Sequence, residues 1–189
     1  MLLSKGIWVD DIHKLPKEAM DIEVIAHSLS RLCRYAGHAD TFYSVAQHSY
    51  FVSKLVPEEY ALEGLLHDAA EMITSDIPLP VKKLIPKLKS IERSITKQIF
   101  KHYGIEMPDC KACMLHTEVH EADKDMIFSE MMVMFQKHHP KLFTWFSNNI
   151  TTGSDRTPSL YRQVHFDPAS IEVSYKLFID RYEEILNAI

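Results

Sequence analysis

The sequence has little glycine, little cysteine and no excess of positive charge. Its 189 residues include 5 glycines and 3 cysteines, and the formal net charge is −5. So few glycines leave few positions for positive-φ turns, which disfavours a β-sandwich or barrel and favours helices. Three cysteines are too few for a disulfide framework, and a net negative charge provides no general field for a nucleic-acid backbone. A disulfide-rich secreted protein and a general DNA-coating protein are therefore disfavoured.

Long apolar runs are also missing. No stretch approaches the roughly 18 residues of a membrane span, and the opening segment MLLSKGIWVDD lacks the apolar core of a signal peptide. The hydrophobic fraction of 46% and the charged fraction of 25% are ordinary for a globular domain. We therefore expect one cytoplasmic domain over residues 1–189, with neither a membrane nor a nucleic acid as partner.

Apolar residues recur at three- and four-residue steps over most of the chain, which predicts an all-α fold. We expect a bundle of about six to seven helices behind an N-terminal cover segment at 1–20, which has room for a short strand pair. Helical periodicity begins near Met20, and a less regular stretch covers 140–167. The further helices are expected at about 44–55, 57–73, 87–103, 111–136 and 168–187.

His67, Asp68 and Glu71 form the densest group of ionisable residues on an otherwise apolar helix. At about 100° per residue, all three can face one side of that helix. Burial without partners costs on the order of several kcal/mol, and a divalent cation is an economical partner for imidazole and carboxylate groups. The alternative is a solvent-facing His-Asp pair at a helix end, which is the commoner arrangement for such a pair alone.

Two more polar elements lie within predicted helices. His48 is one polar ring in an apolar helix, and Asp123 and Asp125 lie among the apolar residues of a later one. Taken singly, these features are typical of a satisfied core histidine and of a solvated helix face.

The order His48, then His67-Asp68, then Asp123 resembles the four-ligand signature of the HD-domain metal-dependent phosphohydrolases. The run HDAAEMITSDIPLPVK at 67–82 is similar to the H-D-A-x-E-x-x-x-x-D-x-P-x-P-x-K run of one branch. That branch contains bacterial 5′-deoxynucleotidases and phage dATP triphosphohydrolases. Four further segments resemble phage-type members of this branch: DIEVIAHSLSR at 21–31, RYAGH at 34–38, YSVAQHS at 43–49 and HFDP at 165–168. The resemblance thus covers nearly the whole chain.

This resemblance implies a metal centre and a proton-transfer pair. The metal ligands would be His48, His67, Asp68 and Asp123, with Asp125 as the fallback for Asp123. They would hold one divalent ion (Mn, Co, Zn, Fe or Mg), and a second ion, Mg, on the substrate phosphates is an option. Glu71 would relay a proton, and Asp76 would position the nucleophile or the leaving hydroxyl. Which carboxyl group is the acid and which the base stays open.

The resemblance also implies a substrate-binding set: Arg34, Tyr35, His38, Lys82 and Lys83. The planar guanidinium of Arg34 suits phosphate oxygens, and Tyr35 stands where some relatives have a tryptophan that can stack on a base. Lys82, or Lys83 in its place, would meet outer phosphates. Ordinary surface charge is the alternative for the arginine and both lysines.

A competing metal motif reads C-x-x-C-x-x-H-x-x-x-H and consists of Cys110, Cys113, His116 and His120. A structural zinc needs four groups around the ion, whereas three or four of these residues lie along one predicted helix. We interpret them as helix-face residues.

By resemblance, the chain would cleave the 5′ phosphoester of deoxynucleotides. The phage-like front and the pair Lys82-Lys83 favour, slightly, a dATP-type triphosphohydrolase that yields deoxynucleoside and triphosphate. The alternative is a 5′-deoxynucleotidase acting on monophosphates, and a further one is a non-catalytic module that binds a nucleotide or a protein. A cyclic-dinucleotide hydrolase is disfavoured because its extra histidines and glycine-bearing motif are missing. A homo-oligomer of bacterial or phage origin is expected.

Overall fold

Helices make up the architecture of this computed structural model, which describes residues 1–108, 114–135, 138, 141, 144 and 164–188. In those residues there is no β-strand, and two isolated antiparallel bridges pair Leu2 with Trp8 and Cys33 with Ser44. The predicted all-α bundle is therefore confirmed. Its α-helices are α1 (Ile22–Leu29), α2 (Val45–Leu55), α3 (Ala61–Leu66), α4 (Glu71–Thr74), α5 (Leu79–Lys82), α6 (Pro86–His102), α7 (Thr117–Phe135) and α8 (Ile171–Ala188).

Helix α2 lies at the centre of the bundle and packs against α3, α7 and α8. It begins where the Ser44 side chain accepts a hydrogen bond from the Gln47 backbone at 3.1 Å, which satisfies one free N–H of the first turn. It ends before Val56, which is extended, because Pro57 disfavours helical geometry in the residue that precedes it. These limits agree with the predicted 44–55 helix, and they place His48 in the second turn.

Helices α2 and α3 approach each other closely at Gly64. A Cβ atom there would lie 3.1 Å from Ser53 Cα and 3.3 Å from Ser53 N, both backbone atoms of α2. Any larger residue would push the two helices apart, since interiors pack at crystal-like density. This contact fixes the end of α3, and therefore His67, relative to His48.

The predicted helix at 57–73 is interrupted, contrary to expectation. A 3₁₀ turn at Glu58–Tyr60 leads into α3, and the α-helical hydrogen-bond pattern is interrupted over 67–70 before α4 begins. Backbone hydrogen bonds in this interval run to the third preceding residue, from Ala69 to Leu66 and from Glu71 to Asp68. His67 and Asp68 therefore lie in a tighter turn between two helices rather than on one regular helical face.

Prolines begin helices here as well as end them. Asp76–Pro80 terminates α4 as predicted, but Pro78 immediately precedes α5 and Pro80 lies in its first turn. Pro86 likewise opens α6, where a missing N–H costs no helical hydrogen bond. The short helix α5 was not predicted, and it carries Lys82 back towards Glu71.

The N-terminal cover segment and α8 close the bundle. Gln98 of α6 accepts a hydrogen bond from Leu15 N at 2.7 Å and donates one to Ile12 O at 3.0 Å. Arg181 of α8 is buried and donates to Ser53 O at 3.0 Å, at the end of α2. In the described part of the chain, no helix has the length and apolarity needed to cross a membrane. Most of the less regular stretch predicted at 140–167 lies outside that part.

Candidate active site

Two buried imidazoles, one on α2 and one in the turn after α3, face each other. His48 on α2 and His67 after α3 have their Nε2 atoms 3.3 Å apart. The Nδ1 atom of His67 lies 2.8 Å from the Gly64 carbonyl oxygen, and that of His48 lies 2.6 Å from a carboxylate oxygen of Glu130. Both of these partners are acceptors, so each Nδ1 carries a proton and donates it. Each Nε2 is thereby left to face the space between the two rings.

Two carboxylates approach the same space. Asp123 Oδ1 lies 3.2 Å from His48 Nε2, and Asp68 Oδ2 lies 3.2 Å from His67 Nε2. The ligand atoms of His48, His67 and Asp123 all lie within 4.8 Å of one another. Atoms bound about 2.0–2.2 Å from one divalent ion are separated by about 3–3.5 Å, so this group has dimensions that suit such an ion. Asp125 is about 200° further round α7 and is buried elsewhere.

Opposite charges inside the cluster outweigh the cost of burial. Burial by itself raises the pKa of Asp68 and of Asp123, but the neighbouring histidines hold both pKa values below their usual range. Burial lowers the pKa of His67, yet the Asp68 carboxylate raises it to about 9. A divalent ion would take the place of this proton, since an imidazole ligand must be neutral. Nitrogen and carboxylate donors together suit a borderline metal.

Arg34 reaches the cluster from a loop with unusual backbone geometry. Tyr35, Ala36 and Gly37 follow it with φ values of 56°, 51° and 77°. Non-glycine residues at such angles are strained, and strain of this kind gathers at functional sites. The buried guanidinium places Nη1 3.5 Å from Asp68 Oδ2. The loop thus directs a permanent positive charge to the edge of the candidate metal centre.

The Tyr35 side chain contacts the protein. Its hydroxyl donates a hydrogen bond to Glu130, and its ring packs edge-on against Phe135 with centroids 5.2 Å apart. Stacking on a nucleobase remains a prediction for this residue.

Glu130 is a residue that sequence reasoning missed. It is fully buried on α7, and its carboxylate contacts His48, Arg34 and Tyr35. Burial raises its pKa, but the charges of Arg34 and then His48 bring the pKa below the ordinary value. Its signal in the sequence is the spacing: Glu130 follows Asp123 by seven residues, or two helical turns, on the same face of α7.

A second polar group lies beside the first, around a cavity of about 60 Å³. Lys82 Nζ lies 3.0 Å from Glu71 Oε1 and 3.0 Å from Glu92 Oε1. Burial, with the charges of Asp68 and Asp76, raises the pKa of Glu71 to about 9. Glu71 Oε2 is buried without a hydrogen-bond partner among the residues described. The charge of Lys82 acts in the opposite direction on the pKa of Glu71, and Lys82 is already paired with Glu71 and Glu92.

Of the other predicted site residues, one lies near the cluster and two are exposed. Asp76 is half-buried and close enough for its charge to act on Arg34 and Glu71. His38 and Lys83 are exposed, and within the described ranges no contact joins either of them to the cluster. Glu92, like Glu130, was not anticipated, because nothing in the local pattern of α6 distinguishes it from a solvated glutamate.

Two of the four residues of the competing zinc motif lie in the described part of the chain. Cys110 and Cys113 lie outside the described residues. The His116 ring is bonded to Glu63, with Nδ1 2.6 Å from Oε2, and His120 is exposed. Residues 114–116 are not helical, and α7 begins only at Thr117 rather than at 111 as expected. The helix-face interpretation is therefore wrong for His116, and for the two cysteines it remains a prediction.

Comparison with known proteins identifies the class to which this fold and site belong. A family model described as "5′-deoxynucleotidase YfbR-like" matches residues 14–134, a range that includes every candidate site residue named above. The chain belongs to this YfbR-like family, and the predicted family resemblance is confirmed.

Two curated relatives are similar to the chain, and both are described as uncharacterized. YfdR of Escherichia coli K12 is 44% identical over 117 residues, which is 62% of each chain. A Rhodobacter capsulatus protein is 36% identical over 98 residues, 46% of this chain and 50% of that protein. The matches thus span less than two thirds of either relative.

Proposed function

We propose that this protein is a metal-dependent 5′-deoxynucleotidase that converts a deoxynucleoside monophosphate and water to a deoxynucleoside and phosphate. One observation carries the proposal. Two imidazole nitrogens, two carboxylates and the Arg34 guanidinium meet around one small space in a chain of the 5′-deoxynucleotidase family. Such a space suits one cation and one phosphate group.

We propose a monophosphate as the substrate rather than the triphosphate expected from the sequence. The family description names 5′-deoxynucleotidases. The pair Lys82-Lys83 also lends less support to a triphosphate than expected, because Lys82 lies between Glu71 and Glu92 and Lys83 is exposed. The triphosphohydrolase therefore becomes the alternative outcome of the test.

His48, His67, Asp68 and Asp123 would hold the cation. When bound, a divalent ion supplies positive charge to a phosphoryl oxygen and activates water as a nucleophile. Arg34 Nη1 would turn from Asp68 to the incoming phosphate, which offers the same geometry and a larger negative charge.

The proton balance assigns different roles to Glu71 and Asp76. Hydrolysis forms a bond from the water oxygen to phosphorus and breaks the bond from phosphorus to O5′, so O5′ must receive a proton. The raised pKa of Glu71 suits this carboxyl group to hold a proton and donate it to the leaving oxygen. Asp76 would orient the attacking water and accept its proton.

A hydrolysis panel tests the proposal. Chelator-treated protein would be reloaded with Mn, Co, Zn, Fe or Mg and incubated with each deoxynucleoside mono- and triphosphate, and the products would be separated by chromatography. We expect deoxynucleoside and phosphate from monophosphates, and no turnover by chelated protein. Tripolyphosphate from one triphosphate would instead identify a triphosphohydrolase, and no turnover with any metal would favour a binding module. Light scattering on the same preparation would test the predicted homo-oligomer.

A further inference from the structure

We propose that Glu130 is a positioning residue that couples the candidate metal centre to the phosphate-binding arginine. This inference rests on the proposed function, because it assigns Glu130 a role in holding both the cation and the phosphate. It concerns a buried carboxylate that touches neither group itself.

One oxygen of Glu130 acts on the metal side. Oε1 lies 2.6 Å from His48 Nδ1, and both side chains are fully buried. A carboxylate accepts and does not donate, so the proton of His48 is fixed on Nδ1 and Nε2 is kept free for a cation. The same contact also sets the plane of the ring and increases the basicity of Nε2.

The other oxygen acts on the phosphate side. Oε2 accepts a hydrogen bond from Arg34 Nε at 3.2 Å and another from the Tyr35 hydroxyl. With Nε held in this way, Nη1 of Arg34 lies 3.5 Å from Asp68 Oδ2. The carboxylate also compensates the buried positive charge of Arg34, which would otherwise favour a position nearer to solvent.

Both halves of the site therefore depend on one side chain of α7, the helix that also carries Asp123. A shift of Glu130 towards one partner must loosen the other, because the carboxylate is short and rigid. We expect the loss of Glu130 to weaken cation binding and phosphate binding together, even when each is measured without the other.

The chain provides a matched control in Glu63. This buried carboxylate also lies 2.6 Å from the Nδ1 atom of a histidine, His116, at the start of α7. Glu63→Gln removes the same kind of charge and disturbs the same kind of hydrogen bond, at a histidine that is not one of the candidate ligands. A general effect of altering a buried carboxylate would appear equally in Glu63→Gln and Glu130→Gln.

The experiment measures two affinities by calorimetry. Co²⁺ is titrated into metal-free protein, and inorganic phosphate is titrated into metal-free protein in the presence of a chelator. Glu130→Gln should lower Co²⁺ affinity by about tenfold to a hundredfold. It should also lower phosphate affinity by roughly fivefold or more. Glu63→Gln should leave both affinities unchanged, and His48→Ala should lose Co²⁺ binding while keeping phosphate binding.

The proposal is overturned if Glu130→Gln keeps either affinity at the wild-type value. Should that variant not fold, Glu130→Asp retains the buried charge but shortens the side chain by one methylene, so it cannot reach both partners. At least one of its two affinities should fall, and no change in either would again overturn the proposal. A wild-type protein that binds no Co²⁺ and hydrolyses no nucleotide would instead contradict the proposed function.

Discussion

Gly64→Ala tests whether the packing of α3 on α2 sets the position of His67. The new Cβ would lie 3.1 Å from Ser53 Cα and 3.3 Å from Val56 Cγ2. Overpacking against backbone costs about 1–3 kcal/mol, and alanine recovers up to about 1 kcal/mol of helix propensity. We therefore expect the free energy of unfolding to fall by about 1–2 kcal/mol, which corresponds to a Tm lower by roughly 2–8 °C for a chain of this size.

The same substitution should weaken cation binding. The Gly64 carbonyl accepts the Nδ1 proton of His67, so a displaced α3 also displaces the ring. Thermal unfolding and Co²⁺ calorimetry on Gly64→Ala would measure the two effects. Gly104→Ala is the control: its Cβ meets no atom within 4 Å, and its cost comes only from a φ of +70°. Gly104→Ala should lower Tm while Co²⁺ affinity stays constant. A Gly64→Ala protein with wild-type Tm and Co²⁺ affinity would refute the reasoning.

Three further predictions concern the chemistry. Glu71→Gln should retain Co²⁺ and lose about 10²–10⁴-fold in kcat, as expected for a proton donor; a smaller loss than tenfold would remove that role. Lys82→Met should move the alkaline limb of the pH–rate profile to higher pH. Activity is lost as pH rises through the pKa of Glu71. Because the charge of Lys82 lowers this pKa, its removal should raise the pKa. A shift of the alkaline limb to lower pH would contradict the prediction. Asp123→Asn should abolish Co²⁺ binding in calorimetry while Asp125→Asn preserves it, and the reverse result would transfer the ligand role to Asp125.

Much of the helical framework follows from local pattern. The limits of α2 and α6 agree with apolar periodicity, with Ser44 as a cap and with Pro57 as a stop. The turn at 67–70 does not follow from local pattern, since Ala69 and Ala70 are strong helix formers. There the chain is held by tertiary contacts, among them the close approach at Gly64.

The sequence predicted which residues form the candidate site better than it predicted the contacts between them. The meeting of His48, His67 and Asp123 was expected from the family resemblance. Glu130 was not expected, because its partners His48 and Arg34 lie 82 and 96 positions away along the chain. Lys82 was expected to face phosphate, but the unpredicted helix α5 carries it to Glu71. Such pairings depend on how helices pack, which periodicity does not specify.

The most direct test of the central claim is phosphate release from a deoxynucleoside monophosphate as Co²⁺ is titrated into metal-free wild-type protein. We expect no release before Co²⁺ is added and a rate that saturates near one ion per chain. Release at full rate in the presence of excess chelator would contradict it.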